Sequence, residues 1–486
     1  MALFSEAQKA QLRERGISED EAKRQLALLK ADVSYLDLAR PCRLEDGIET
    51  VPKDRQEALI LLHDEAARQG RCSKFVPASG AATRMFQEVI TGTGVDVLLE
   101  RIERFPFVDD LRAELAFRGY DLDVLRGAGS AAEVVDALVG EDGLAYATIP
   151  KGLIPFHRYA NGVRTAFEEH LVEAAGCVRD AEGVCRVRFT VSPEHLHAFR
   201  LLAERTAPAY ERVLSVRFQL AFSVQHASTD TIAGSTGGGP FVADDGGLVL
   251  RPSGHGALLT NLAELSGDIV FIKNIDNVQT DAQRADTLRW KKILGGRLVE
   301  LQREVFVHVA RLRSRPLNPA FAEEAAAFAR ATLAVDATGP ELLRALHRPM
   351  RVCGVVRNTG EPGGGPYWVR GRDGRVTRQI VETAQVDPAS EPQRVLLREA
   401  THFNPVDLVC GLRDADGRAF DLREFVDPRA AIVAEKSYQG RELLALERPG
   451  LWNGAMADWT TVFLEVPIST FTPVKTVADL LRPEHQ

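Results

Sequence analysis

A glycine-containing loop with an arginine follows the first clear strand pattern of the sequence. The segment KFVPASGAATRMFQEVI predicts a strand, a loop and then a helix. Backbone N–H groups at the start of a helix can bind phosphate, and glycine lets a ligand approach the backbone closely. An ordinary strand-to-helix turn with a surface arginine gives the same pattern. The candidate phosphate-binding residues of this loop are Gly80, Ala81, Ala82, Thr83 and Arg84.

Two lysines lie in short turns elsewhere in the chain. Lys151 is in PKGLIPF, ahead of an amphipathic helix predicted to begin near Thr165, and Lys475 is in FTPVKT. A lysine beside a turn can serve as a point charge on a phosphate group. The alternative is a lysine that is simply solvated, which short motifs of this kind do not exclude.

An aspartate follows an apolar run typical of a central strand. Ile269–Ile272 predicts a strand buried on both faces, and Asp276 and Asn277 come just after its carboxyl end. Open α/β sheets place their ligands at this end of their strands, and a carboxylate there can hold Mg²⁺ that bridges phosphates. The alternative role for Asp276 is to form a turn or cap a helix.

Three later segments carry polar side chains suited to a base or a sugar. The sequence RPSGHG has glycines on both sides of His255, which leaves the backbone of Gly254 and Gly256 open to a flat ring. Glu382 and Asn453 can hydrogen-bond to sugar hydroxyls. Each has a structural alternative, since the first segment can be a tight turn and Glu382 can lie on the polar side of a strand.

The elements that must position these residues are those of an α/β sheet. From Lys74 onward, short apolar runs alternate with turns and helical stretches, and Arg212–Gln225 alternates as a half-buried strand does. Residues 1–70 predict a helical extension, residues 87–147 and 281–347 are predicted to be mainly helical, and Pro362–Pro366 predicts a loop.

Composition narrows the class of protein. The chain of 486 residues has a net charge of −8, which argues against a broad surface for nucleic acid or anionic membrane. No run of about 18 apolar residues predicts a membrane helix. The sequence contains no CxxC pair or zinc-type spacing, which favours a reduced cytoplasmic protein. Its six cysteines are Cys42, Cys72, Cys177, Cys185, Cys353 and Cys410.

Taken in order, these segments resemble the UDP-sugar pyrophosphorylases of the UDP-glucose and UDP-N-acetylglucosamine type, and an uncharacterised bacterial family related to them. The resembling segments span residues 74–481 and are ASGAATRM, PKGLIPF, FSVQ, RPSGHG, IVFIKNIDNV, QIVETAQVDP, WNGAM and FTPVKTVADLL. The resemblance implies a Rossmann-like, glycosyltransferase-A type mixed sheet with helices on both faces. It also implies a nucleotidyltransferase core over 71–385, with an insertion at 87–147, and a C-terminal part, 386–486, that completes the sugar and phosphate site.

The resemblance further implies an activity and roles for its residues. The reaction would join a nucleoside triphosphate, by resemblance UTP, to a sugar 1-phosphate and release pyrophosphate. Arg84 and its loop would hold the triphosphate, Lys151 would offset charge at the α-phosphate, and Asp276 would bind Mg²⁺. Lys475 would hold the sugar phosphate and Gln225 would read the uracil edge. The remaining implied contacts are Gly254, His255 and Gly256 with the base, and Glu382 and Asn453 with the sugar.

Two departures leave other functions open. The loop has Ala81 and Ala82 where the family usually has a second glycine, and the helical insertion separates Arg84 from Lys151. A nucleotide-sugar-binding or regulatory protein without catalysis is therefore one alternative. A glycosyltransferase is the other, although Asp276-Asn277-Val278 is a poor match to the Asp-x-Asp pair of that class.

Overall fold

The computed structural model describes residues 3–31, 35–314, 318–360 and 363–486. The chain forms two compact units, each built from three separate segments. Unit 1 contains Met1–Gln56, Gln225–Ile269 and Arg297–Val466, and unit 2 contains Glu57–Val224, Val270–Gly296 and Pro467–Gln486. The three domains expected from the sequence, 1–70, 71–385 and 386–486, stay predictions.

The described residues form the following elements. The helices are α1 (Glu6–Glu14), α2 (Glu19–Lys30), α3 (Lys53–Arg68), α4 (Gln87–Ile90), α5 (Val95–Glu100), α6 (Val108–Phe117), α7 (Leu122–Ala128), α8 (Ala131–Val139), α9 (Ala166–Cys177), α10 (Leu196–Leu214), α11 (Leu258–Ala263), α12 (Asp281–Arg313), α13 (Pro319–Phe328), α14 (Gly339–Leu346) and α15 (Glu391–Arg398). The strands are β1 (Asp37–Pro41), β2 (Arg43–Leu44), β3 (Gly47–Glu49), β4 (Cys72–Pro77), β5 (Pro155–Tyr159), β6 (Gly162–Thr165), β7 (Val184–Val191), β8 (Arg217–Val224), β9 (Thr231–Ile232), β10 (Leu250–Arg251), β11 (Ile269–Lys273), β12 (Met350–Arg357), β13 (Gly365–Arg370), β14 (Val376–Val381), β15 (His402–Phe403), β16 (Asp407–Gly411), β17 (Ile432–Tyr438), β18 (Arg441–Glu447) and β19 (Thr460–Glu465).

Unit 1 contains a mixed sheet with the strand order β2-β3-β19-β12-β16. Strand β12 pairs in parallel with β19 and antiparallel with β16. The apolar sequences MRVCGVV and DLVCG suit strands that are buried on both faces, and every residue of both runs is buried. A smaller sheet, β1-β13-β14, and the hairpin β17-β18 complete the main strands of this unit.

Residues 1–70, for which the sequence predicts a helical extension, contain α1, α2 and α3 and also β1–β3. Strand β1 is antiparallel to β13, a partner that lies more than 300 positions further along the chain, so no local pattern predicts it. Ser18 caps the start of α2, since its side chain accepts a hydrogen bond from the Glu21 N–H. Of the predicted loop Pro362–Pro366, Pro362 lies outside the described residues, and Gly365 and Pro366 belong to β13.

Unit 2 contains the strands β11-β4-β7-β8 in that order, with β4, β7 and β8 mutually parallel. All of β11 is buried, as its apolar run predicts. The strand predicted at Arg212–Gln225 begins later, at Arg217, because α10 continues to Leu214. Parallel and antiparallel strands combined with many helices confirm the predicted α/β fold. Within the described ranges, no helix is both long and apolar enough to span a bilayer.

The predicted insertion at 87–147 is helical and consists of α4–α8. Its two flanks meet, because Ala81 pairs with Pro150 and the Ala82 N–H donates to the Ile149 carbonyl at 2.9 Å. The insertion therefore leaves and returns to unit 2 at one place.

Two adjacent glycines let α12 approach α3 closely within unit 2. A Cβ atom at Gly296 would overlap the backbone carbonyl of Leu59, and one at Gly295 would lie 2.6 Å from the His63 ring. Glycine inside a helix costs stability relative to alanine, so the close approach explains its presence here.

We therefore expect Gly296→Ala to destabilise the protein by about 3 kcal/mol, because backbone atoms of α3 must move to admit the methyl group. Urea denaturation followed by circular dichroism measures this change. The matched control is Gly127→Ala in α7, where a Cβ meets nothing within 4 Å and stability should rise by up to about 1 kcal/mol. Equal stabilities of the two variants would contradict the close contact.

Candidate functional site

Asp276 forms ion pairs with two lysines that are far from it in sequence. Its Oδ2 atom lies 2.9 Å from the Lys151 Nζ and 3.0 Å from the Lys475 Nζ. The Lys151 ammonium also donates to the Val474 carbonyl at 2.7 Å. These three side chains, which we call the Asp276 cluster, belong to unit 2 and join the turn before β5, the end of β11 and the segment 471–476.

The electrostatics of the Asp276 cluster favour an anion. Burial opposes ionisation of Asp276, but the charges of Lys475 and Lys151 outweigh it and hold the pKa of the carboxyl below its ordinary value. Two ammonium groups face one carboxylate, so the cluster carries one positive charge in excess. The Lys475 side chain is 53% exposed, so this charge is accessible to a ligand.

The glycine-containing loop differs from its prediction in one respect. Ala82–Arg84 form a single 3₁₀ turn instead of the start of a longer helix. The Ala82 N–H donates to Ile149 and the Thr83 hydroxyl donates to the Ala147 carbonyl at 2.8 Å, so the end of the insertion uses these donors. Gly80 and Arg84 are exposed. The loop thus offers an arginine and an open backbone, but not the dipole of a long helix.

The Asp276 cluster contains one carboxylate that could bind a metal ion. The described residues contain no group of three or more His, Cys, Asp or Glu side chains that could hold one. Asp276 Oδ1 is buried and has no hydrogen-bond partner among them. Mg²⁺ often uses one or two protein carboxylates and takes its other ligands from phosphates and water. The chemistry of Asp276 Oδ1 therefore suits a hard cation such as Mg²⁺ whose other ligands come from outside the described residues.

Of the predicted base and sugar residues, His255, Glu382 and Asn453 lie in a second cluster, within unit 1. The His255 ring stacks on Trp452 with centroids 4.1 Å apart and planes 17° apart. The Leu451 N–H donates to His255 Nδ1 at 3.0 Å, so the neutral ring carries its proton on Nε2. Burial lowers the pKa of His255, against the opposing charges of Glu382 and Glu447. This ring is therefore a neutral N–H donor.

Asn453 and Glu382 meet through a residue that the sequence interpretation missed. The Asn453 amide donates to Gln385 Oε1 at 3.0 Å, and the Glu382 N–H donates to the same oxygen at 3.0 Å. The spacing of Glu382 and Gln385, three residues apart as in a capping box, is the signal that could have identified Gln385. Asn453 Oδ1 is buried and has no partner in the described part of the chain.

The predicted site residues therefore fall into two groups. Gln225 follows β8 directly, and its Nε2 is a buried donor for which the described ranges supply no partner. The predicted site residues in unit 2 are Gly80, Ala81, Ala82, Thr83, Arg84, Lys151, Asp276 and Lys475. The predicted site residues in unit 1 are Gln225, Gly254, His255, Gly256, Glu382 and Asn453.

Sequence interpretation also missed a buried charge cluster in unit 2. Glu173 on α9 lies 2.7 Å from both Lys74 and Lys273 and 3.5 Å from Lys291, and all three lysines are fully buried. Burial opposes ionisation of Glu173, but the three lysines hold its pKa well below the ordinary value. We call these four residues the Glu173 cluster. The single lysines, spread over 217 positions of the sequence from 74 to 291, gave no local signal.

The fold is that of the UDP-sugar pyrophosphorylases. A UDP-N-acetylglucosamine pyrophosphorylase from Trypanosoma brucei, crystallised with an inhibitor, matches 98% of this chain over 79% of its own, with a TM-score of 0.50 and 15% identity. A mutant UDP-glucose pyrophosphorylase from Leishmania major matches 99% of this chain over 79% of its own, with a TM-score of 0.50 and 13% identity.

The chain belongs to the family described as a domain of unknown function (DUF4301), whose model matches residues 5–486. A search of curated proteins by sequence gives no match.

We expect the Glu173 cluster to make the free energy of unfolding depend on pH in the alkaline range. Burial lowers the pKa of Lys74 to about 8, against the attraction of Glu173, whereas the ordinary value is 10.5. Between these values the unfolded chain binds more protons than the folded one, so the free energy of unfolding should rise with pH from about 8 to 10.5.

We expect Lys74→Met to lose this increase. Urea midpoints of the wild type and the variant, measured at pH 7.5 and 9.5, should show the wild type gaining stability relative to the variant at the higher pH. A midpoint difference that is the same at both pH values would contradict the lowered pKa.

Proposed function

We propose that the protein is a sugar-1-phosphate nucleotidyltransferase that forms a nucleotide sugar, with UTP as its nucleotide. The observation that carries the proposal is the Asp276 cluster, in which two lysines and a buried carboxylate meet beside an exposed glycine-arginine loop. Polyanionic substrates need such local positive charge because the protein as a whole is acidic.

In the proposed reaction a phosphate oxygen of the sugar 1-phosphate attacks the α-phosphorus of the nucleotide. The new P–O bond forms as the bond to the bridging oxygen of the β-phosphate breaks, and pyrophosphate leaves with the electron pair. Positioning and charge neutralisation supply most of the catalysis in such a transfer, so no side-chain nucleophile is needed.

In unit 2 the charge of each side chain decides its proposed role. Lys151 offsets negative charge at the α-phosphate, Lys475 holds the sugar phosphate, and Arg84 with Gly80 and its loop binds the triphosphate. Asp276 Oδ1 is the proposed ligand of Mg²⁺, which when bound would neutralise phosphate charge.

In unit 1 the proposed role of the residues is to recognise the nucleotide base and the sugar. The His255 Nε2–H suits a carbonyl oxygen of a base. Gly256, expected to be open to a flat ring, is buried, and a Cβ there would overlap the Pro449 carbonyl, so its backbone packs against the protein and not against a ligand. Gln225 has a donor free for the base edge, and Asn453 Oδ1 can accept a hydrogen bond from a sugar hydroxyl. Glu382 is the second proposed sugar contact. Buried polar groups without partners strongly favour ligands that satisfy them.

One observation favours a second function, nucleotide-sugar binding without catalysis. The donors of Ala82 and Thr83 are used by the end of the insertion, which leaves the loop fewer groups for a triphosphate. The activity test below separates this function from the first.

The deciding experiment measures pyrophosphate release with Mg²⁺ and a panel of UTP, CTP, GTP, ATP and dTTP against several sugar 1-phosphates. We expect turnover with UTP and one or a few of the sugars, and its loss on chelation. Calorimetric binding of a UDP-sugar without turnover would support the second function. No turnover and no binding of any nucleotide or nucleotide sugar at millimolar concentration would contradict both.

We expect Asp276→Asn to lower turnover at least 100-fold, because it removes the charge that a hard cation needs and leaves two lysines without their anion. Some loss of thermal stability should accompany it, since the largely buried Lys151 loses its partner. Activity is therefore normalised to the folded fraction at the assay temperature.

The control is Asp64→Asn, which removes a carboxylate that also pairs with a lysine, Lys292, at 3.0 Å. This variant should retain wild-type turnover. Wild-type turnover and an unchanged Mg²⁺ dependence in Asp276→Asn would contradict the proposed role of Asp276.

A further inference from the structure

The buried amide of Gln279 connects the two backbone segments that carry Asp276 and Lys475. We propose that Gln279 is a positioning residue that sets the Lys475 ammonium against Asp276 and so prepares the site for the sugar phosphate. The inference rests on the proposed function for its substrate, and on the geometry of unit 2 for its mechanism.

Gln279 is 2% exposed, and both ends of its amide are bonded. Oε1 accepts from the Lys273 Nζ at 3.1 Å, and an ammonium can only donate, which fixes the orientation of the amide. Nε2 then shares its two hydrogens among three acceptors, which are Asn277 Oδ1 at 3.2 Å, the Thr470 carbonyl at 2.9 Å and Thr472 Oγ1 at 3.0 Å. The amide thus bonds β11 to the segment before Lys475.

Further bonds extend this connection toward the Asp276 cluster. The Thr472 N–H donates to Asn277 Oδ1 at 3.1 Å, and the Thr472 hydroxyl donates to the Val278 carbonyl at 2.9 Å. The Val474 N–H donates to the Asp276 carbonyl at 3.0 Å. Residues 276–279 and 470–474 therefore lie side by side, and Lys475 is the next residue along.

The Glu173 cluster anchors the other end of the network. Lys273 bonds to Glu173 at 2.7 Å, and both side chains are buried. Since a buried amide left without partners costs stability, Gln279, Lys273 and Glu173 constrain one another. The Oε1 end of Gln279 is thus held by the buried ion pair of Lys273 and Glu173. This contact fixes the Nε2 end, which bonds to Thr470 and Thr472.

The two lysines of the Asp276 cluster depend on this network to different extents. Lys151 is 12% exposed and has a second bond, to the Val474 carbonyl. Lys475 is 53% exposed, and its backbone N–H is fixed by Asp479 on its C-terminal side at 2.7 Å. On its N-terminal side the constraint comes from Gln279 together with the bonds of Thr472 and Val474. Loss of Gln279 should therefore affect Lys475 more than Lys151.

The test compares Gln279→Leu and Gln279→Glu with the wild type. The glutamate variant keeps the shape and the bond to Lys273 but loses the three donated bonds, so it remains informative if the leucine variant folds poorly. The control is Gln302→Leu on α12, which removes an equally buried amide that bonds to Asp268. All variants are made in the full chain.

The first measurement is hydrogen exchange over residues 467–476, which needs no substrate. We expect exchange at the Thr472 and Val474 amides to become at least about tenfold faster in both Gln279 variants, and to be unchanged in Gln302→Leu. Unchanged exchange in the Gln279 variants would overturn the inference even if the enzyme is active. Absence of wild-type turnover would instead contradict the proposed function alone.

The second measurement separates a positioning role from general destabilisation. In the Gln279 variants the KM for the sugar 1-phosphate should rise about tenfold, while the KM for UTP stays within about twofold. Lys475→Ala should raise the same KM, and adding Gln279→Glu to it should change the KM less than about twofold further, because the two residues act in one path. Independent, multiplying effects of the two changes would overturn the inference.

Discussion

A carboxylate that must be buried between two ammonium groups determines how the three segments of unit 2 meet. Asp276 is 125 positions from Lys151 and 199 from Lys475, so neither ion pair forms until distant parts of the chain are brought together. A buried Asp276 without these lysines would cost several kcal/mol in desolvation. The end of β11, the turn before β5 and the segment 471–476 are therefore constrained as a set.

Two local clusters in unit 2 have more lysines than carboxylates, although the whole protein has a net charge of −8. The Asp276 cluster has two ammonium groups to one carboxylate, and the Glu173 cluster has three to one. Such an excess in a low-dielectric interior acts over a longer range than the same charges in water. An acidic protein can in this way attract a polyanion locally without a basic surface.

The sequence predicted the residues whose chemistry shows in local pattern. A buried apolar run followed by an aspartate located Asp276, and turns with a lysine located Lys151 and Lys475. The sequence could not predict Gln279 or Lys74, because their roles depend on partners that are distant in sequence. Gln385 was missed although its spacing from Glu382 is a local signal. The helix predicted after Gly80 is present only as the 3₁₀ turn Ala82–Arg84 and the short helix α4. Strand β1 was not predicted because it forms by pairing with β13, which is distant in sequence.

The division of the chain into alternating segments has a consequence for synthesis. The last segment of unit 2, Pro467–Gln486, follows the whole of unit 1 in sequence. A ribosome-bound chain made only as far as residue 466 holds every segment of unit 1, but lacks Lys475, Thr472 and the rest of the last segment of unit 2. Domains fold as units when their segments become available. Unit 1 can therefore complete its fold first, whereas Asp276 lacks the second of its two lysines until the last segment of unit 2 has been made.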